Sequence, residues 1–113
     1  MNDCIFCKIA NGEIPTTKVY EDESVVAFND LNPQAPIHIL VIPKKHYSNV
    51  LDVEKNDNII SKIYNAINII SEQQGFKKDG FRVINNCGEN AGQTVMHMHF
   101  HIIAGKKLGE GIV

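Results

Sequence analysis

The 113-residue chain has no tryptophan, four prolines and an odd number of cysteines, three. An odd count argues against a disulfide framework. Neither sign of charge dominates: eleven Lys and Arg stand against thirteen Asp and Glu, for a net charge of −2. That removes any broad electrostatic case for a nucleic-acid partner. No apolar run approaches the roughly 20 residues a membrane helix needs. The opening stretch, "MNDCIFCKIANGE", lacks a basic flank before a long apolar core. No signal peptide and no membrane partner are therefore expected, and a reducing, cytoplasmic location is. What the chain does have is an ordinary globular mix, 43% apolar and 21% charged. One domain spanning residues 1–113 is expected, long enough to bury about two-thirds of its unfolded surface.

Residues 24–29 ("SVVAFN"), 37–42 ("IHILVI") and 81–84 ("FRVI") read as strands, with "TKVY" at 17–20 as a shorter candidate. Residues 58–74 read as the long helix. Ile59, Ile60, Ile63, Ile67 and Ile70 fall on one helical face, Asp57 is a candidate N-cap, and Gly75 is a candidate stop. Strands, one helix, then more strands suggest an α+β fold with a mainly antiparallel sheet. One helix covers one face of such a sheet, so the other face or an edge needs another cover, and a homodimer would supply it.

In "MHMHFHII", residues 96–103, His97, His99 and His101 take every second position. A strand puts all three on one face and Met96, Met98, Phe100 and Ile102 on the other. The expectation is a strand with its apolar face inward and its imidazole face outward. A solvated face would accept Thr, Ser, Lys or Glu equally well, so three imidazoles in phase point to chemistry. The outer pair lie roughly 13 Å apart at about 3.3 Å per residue, so at most two can readily share one metal ion. What fits the whole row is an extended anion, attacked by one neutral imidazole and hydrogen-bonded by its neighbour. The preceding loop, "NNCGENAGQTV" at 85–95, supplies glycines and short polar side chains suited to approaching a phosphate.

His97-Met98-His99-Phe100-His101-Ile102-Ile103 fits the pattern His-φ-His-φ-His-φ-φ, and "AFNDLNPQAPIHILVIPKKH" (27–46) precedes "GQTVMHMHFHII" (92–103). The chain resembles the histidine-triad superfamily, in its nucleotide-binding branch, from "CIFCKI" to residue 105. The resemblance implies an α+β, homodimeric fold with about five strands, one long helix and a short N-terminal helix. It implies hydrolysis of purine nucleoside phosphoramidates through a nucleotidyl-histidine intermediate, releasing AMP or GMP. By position, His99 would be the nucleophile, and His101 would contact the phosphate and help the leaving group. His38 would be a fourth catalytic histidine. Gly92, Gln93 and Thr94 match phosphate-contacting positions, and Asn86 matches a polar residue beside ribose and phosphate. Asp30 matches the residue that binds the ribose hydroxyls, although "DLNP" is also turn chemistry. Ile5, Phe6, Phe28 and Leu31 match the nucleobase pocket.

Cys4-x-x-Cys7 has the spacing of half a zinc site, which His46 and His97 could complete. Some superfamily members resemble this arrangement, with zinc in a structural role and no cofactor needed for catalysis. A redox pair, which normally opens a helix after a strand, and unliganded thiols are the alternatives. Cys87 reads as a small buried apolar residue. Rival functions are a dinucleoside polyphosphate hydrolase and a nucleotide-binding scaffold. Close relatives often continue into a Trp-containing tail, whereas this chain ends "GKKLGEGIV".

Overall fold

A computed structural model describes residues 3–112. In chain order the elements are α1 (Ile5–Ala10), β1 (Lys18–Glu21), β2 (Val25–Asn29), β3 (Ile37–Pro43), α2 (Ile59–Gln73), β4 (Arg82–Asn85) and β5 (Phe100–Ala104), with 3-10 turns at Val50–Asp52 and Glu89–Ala91. The strands form one five-stranded antiparallel sheet in the order β1-β2-β3-β5-β4. The α+β expectation is met, and the strands anticipated at 17–20, 24–29, 37–42 and 81–84 and the long helix are found with boundaries within a residue or so.

Alternation along the strands sorts the core into two layers. Val25, Ala27, Ile39, Val41, Phe100, Ile102 and Ala104 face α2, whose Ile59, Ile63, Ala66, Ile67 and Ile70 form the stripe that covers them. Ile60, read from sequence as part of that stripe, is only partly buried beside it. Val26, Phe28, Leu40 and Ile42 point the other way and pack against Phe6, Ile9 and Ala10 of α1. The second face is thus partly covered within the chain itself.

α2 begins one residue later than expected. Asn58 holds the cap position without a side-chain bond, while the Asp57 carboxylate accepts the Ile59 N–H at 2.9 Å and also the Tyr47 hydroxyl proton. The helix ends as read: Gln74 closes it and Gly75 turns the chain at φ +81°, a conformation costly to a side-chain-bearing residue.

The histidine stretch departs from expectation in three ways. Regular strand begins only at Phe100, so His101 alone of the three imidazoles sits on a paired strand. The imidazole face is not outward: His97 is 0% and His99 7% exposed, because α1 lies over them with Phe6 edge-on to both rings. Met96, assigned to the core face, is half exposed, because ladder pairing has not yet begun there.

Candidate active site and metal centre

His99 is held from two sides. Its Nδ1 lies 2.8 Å from the His97 carbonyl oxygen, and a carbonyl can only accept. The proton is therefore on Nδ1, and Nε2 keeps its lone pair, the arrangement a nucleophile requires. The Asn85 amide donates to the His99 carbonyl at 2.9 Å. The Phe6 ring stands edge-on to the imidazole, 5.2 Å between centroids.

The protons of His38 and His101 follow from a chain of bonds. The Gln34 backbone N–H points at His38 Nδ1, 3.0 Å away, so that nitrogen must carry a lone pair. The His38 proton is then on Nε2, which lies 2.9 Å from His101 Nδ1 and 3.3 Å from Asp30 Oδ2. His101 Nδ1 accepts, and its own proton is left on Nε2. Burial pushes His101's pKa down to about 4, with the positive charge that His99 and His38 would carry adding to it and Asp30 opposing.

The other expected nucleotide contacts are dispersed around this centre. Phe6 and Phe28 are buried, in an edge-to-face pair 5.7 Å apart. Ile5 is half exposed and Leu31 fully exposed, so neither is enclosed by this chain alone. Asp30 accepts the Asn32 N–H at 2.8 Å, which is the turn role, while its second oxygen faces His38. Thr94 is exposed and Asn86 partly so, the Asn86 amide donating to the Ala91 carbonyl at 2.7 Å. Gly88 and Gly92 carry φ of +89° and +84° where the loop reverses around the Glu89–Ala91 turn.

Gln93 has its donors committed inside the protein. Its amide nitrogen donates to the Ser48 and Val95 carbonyls at 2.7 and 3.0 Å, and its amide oxygen accepts the Gly88 N–H at 2.8 Å. Its backbone N–H donates to the Gly88 carbonyl at 3.1 Å. In this arrangement Gln93 acts as the clasp of the loop.

Beside His99, Cys4, Cys7, His46 and His97 bring four candidate donor atoms within 4.8 Å of one another. His97 Nε2–H donates to the Pro43 carbonyl at 2.8 Å, which leaves its Nδ1 lone pair facing the cluster. The two Nδ1 atoms are 3.2 Å apart, and the Sγ–Nδ1 distances are 3.2, 3.3 and 3.5 Å. Zinc with Zn–N near 2.1 Å and Zn–S near 2.3 Å at tetrahedral angles has edges of about 3.4 and 3.6 Å, so the donor set fits that ion. Burial raises the Cys7 thiol to about 11, helped by the hydrogen bond and charge of Cys4. A bound cation would reverse that by displacing the protons. Cys4 caps α1 and accepts the Cys7 N–H at 3.2 Å, so the pair does open a helix, although no strand precedes it among the described residues. Cys87, read as buried, is half-buried in the loop after β4.

Sequence reading singled out neither Asn85 nor the Pro43, Ser48 and His97 carbonyls, which hold the site through backbone atoms or strand register. Only Asn85 had a visible signal, as one of two adjacent asparagines closing "FRVINN".

The HIT domain family matches residues 11–108 of the chain. A histidine triad protein from Clostridium difficile is similar in structure, with a TM-score of 0.95 and 61% identity over 98% of this chain and 97% of that one. A histidine triad nucleotide-binding protein from Candida albicans has a TM-score of 0.84 and 35% identity, covering 96% of this chain and 82% of its own. The purine nucleoside phosphoramidase of Escherichia coli K12 is 41% identical over 108 residues, 95% of this chain and 91% of that protein. With these matches resting on the fold and on the sequence that carries the three histidines, the chain belongs to the HIT family.

Proposed function

We propose that the protein hydrolyses purine nucleoside phosphoramidates, and the observation that carries this is the proton arrangement across His38, His99 and His101. His99 Nε2 attacks the α-phosphorus. A phosphorus–nitrogen bond to His99 forms as the bond to the leaving amine breaks. That amine must gain a proton, and His101 donates it from Nε2 once binding of the anionic substrate has brought an extra proton to the His38–His101 pair, so that the ring is left neutral. Burial makes free His101 a weak base, but an anionic phosphoryl group opposes burial and raises its proton affinity. Water then attacks the nucleotidyl-histidine, giving up a proton to His101, and AMP or GMP leaves.

In this reading the base lies against Phe6 and Phe28, with Ile5 and Leu31 at the rim, and Asp30 accepts from the ribose hydroxyls. Gly92, Thr94 and Asn86 surround the phosphate, and Gln93 holds their loop closed. Cys4, Cys7, His46 and His97 would hold a zinc ion, which supplies cross-linking of α1 to the histidine segment. Residues 1–113 act as one domain, as a cytoplasmic homodimer. The support is the donor geometry together with the resemblance to the E. coli phosphoramidase and the C. albicans nucleotide-binding protein.

Rapid quench of labelled adenosine phosphoramidate should trap the nucleotidyl group on His99. His99→Ala should lower turnover at least about a thousandfold while AMP still binds. Label on another residue, or wild-type turnover by His99→Ala, refutes the assignment. Faster turnover of diadenosine polyphosphates than of any phosphoramidate would move the reading to the polyphosphate hydrolases.

A further inference from the structure

Cys4 and Cys7 sit on the opening turn of α1 in a geometry that suits a second chemistry. Cys4 is the cap residue, and its Sγ accepts the Cys7 N–H at 3.2 Å, which holds that sulfur over the turn. Residues three apart on a helical turn are neighbours, and the two Sγ atoms lie within 4.8 Å of each other. Side-chain rotation can close such a gap to the ~2.05 Å of a sulfur–sulfur bond. Both thiols are free.

The pair can also be reached. Cys4 and His46 line a cavity of about 410 Å³, together with Ile5, Thr94 and Met96. Ile5 and Met96 are half exposed, so the cavity communicates with solvent. It shares no residue with β4 or α2, the elements expected at a subunit interface. Cys7 is not among its lining residues, so a reagent entering there meets Cys4 first.

The geometry points to a redox role for this cluster: Cys4 and Cys7 form a reversible disulfide with a low-molecular-weight disulfide as oxidant, and closing it empties the metal site and slows hydrolysis. The inference rests on the donor cluster and concerns control, whichever nucleotide is cleaved. Cys4 attacks one sulfur of the small disulfide as a thiolate, forming a mixed disulfide and expelling one small thiolate. Cys7 then attacks the Cys4 sulfur, which closes the Cys4–Cys7 bond and expels the second. The two protein thiols give up two electrons and two protons, and the small disulfide takes them up as two thiols. The new bond draws both sulfurs away from the imidazole nitrogens they now touch, at 3.3 Å for Cys4 with His97 and 3.2 Å for Cys7 with His46. Only His46 and His97 are then left as donors, where a closed tetrahedral site needs four. Phe6 lies between the two cysteines in the chain and edge-on to His97 and His99, so tightening this turn shifts the ring packed against His99.

The test uses the full-length protein loaded with zinc, and its Cys87→Ser variant, with bis(2-hydroxyethyl) disulfide as oxidant. Zinc released to a chromophoric chelator, thiols remaining, the linkage found by peptide mass mapping and turnover of adenosine phosphoramidate are followed together. In both proteins zinc release should track the loss of two thiols, and the mapped linkage should be Cys4–Cys7 within one chain. Turnover should fall about tenfold or more, the scale of a small displacement at a reacting centre, and dithiothreitol with zinc should restore it. A bond to Cys87 or between chains, zinc kept after both thiols are lost, a cluster that takes up no zinc, or full turnover by the oxidised protein overturns the inference. So does resistance of both thiols at oxidant concentrations that fully oxidise the urea-unfolded chain. Zinc release and linkage need no substrate, so they decide the disulfide even where adenosine phosphoramidate is not cleaved.

Discussion

His101 gives the protein an acid sensitivity whose size follows from its surroundings. Its proton affinity falls from the ordinary imidazole value of 6.5 to about 4, chiefly through burial. The folded state thus holds this proton less tightly than the unfolded chain. As pH drops below 6.5 the unfolded chain takes up the proton first, and stability is lost progressively until the folded ring protonates near 4. A displacement that size corresponds to about 3 kcal/mol, at about 1.4 kcal/mol per tenfold change in proton affinity. The ring is partly exposed, and solvent screening brings the expectation to about 2 kcal/mol. His97, also held below its usual range by burial, acts in the same direction only when no metal occupies Nδ1. Urea unfolding at pH 7.5, 5.5 and 4.5, with metal content held fixed, should show wild type losing about 2 kcal/mol more than His101→Gln over that range. Carboxylates with depressed affinities, such as Asp22 and Asp57, titrate lower and identically in both proteins, so the difference isolates the ring. Parallel losses in the two proteins, or an NMR titration of His101 centred near 6.5, would refute the argument.

Two further outcomes are expected. Protein purified without chelator should carry about one zinc per chain and lose thermal stability when it is stripped, with Cys4→Ala and Cys7→Ala abolishing the metal; zinc-free protein from zinc-replete medium would be incompatible with this. The protein should sediment as a dimer at micromolar concentration, because β4 is an edge of the sheet and Tyr64 on α2 is half exposed, and a monomer would remove that expectation.

The strands and α2 were legible because their side chains repeat with the period of the element. Ile63, Ile67 and Ile70 mark a helix face, and Ile39 and Val41 mark a core face of β3. That the three imidazoles share one site was legible from their phase alone, even though two of them precede the paired strand. Their direction was misread, because burial depends on what lies above. α1 is six residues long, too short for periodicity to reveal, and it is α1 that covers His97 and His99. Gln93 shows a similar limit. Its residue type suits a phosphate contact, and nothing local discloses that Ser48, 45 residues away, takes one of its donors.

The Cys/His donor cluster and His99 are close enough to be one mechanical unit. His97 contributes its ring to the donor cluster and its carbonyl to His99 Nδ1. Phe6, between Cys4 and Cys7 on the opening turn of α1, packs edge-on to both rings. A displacement of α1 therefore moves the wall behind His99. A shift of His97 moves the acceptor that fixes the tautomer of His99. Without that acceptor the His99 proton is free to move to Nε2, and the ring then presents an N–H where phosphorus requires a lone pair. A metal that locks Cys4 and Cys7 to His46 and His97 would thus act on catalysis through geometry, without touching the substrate.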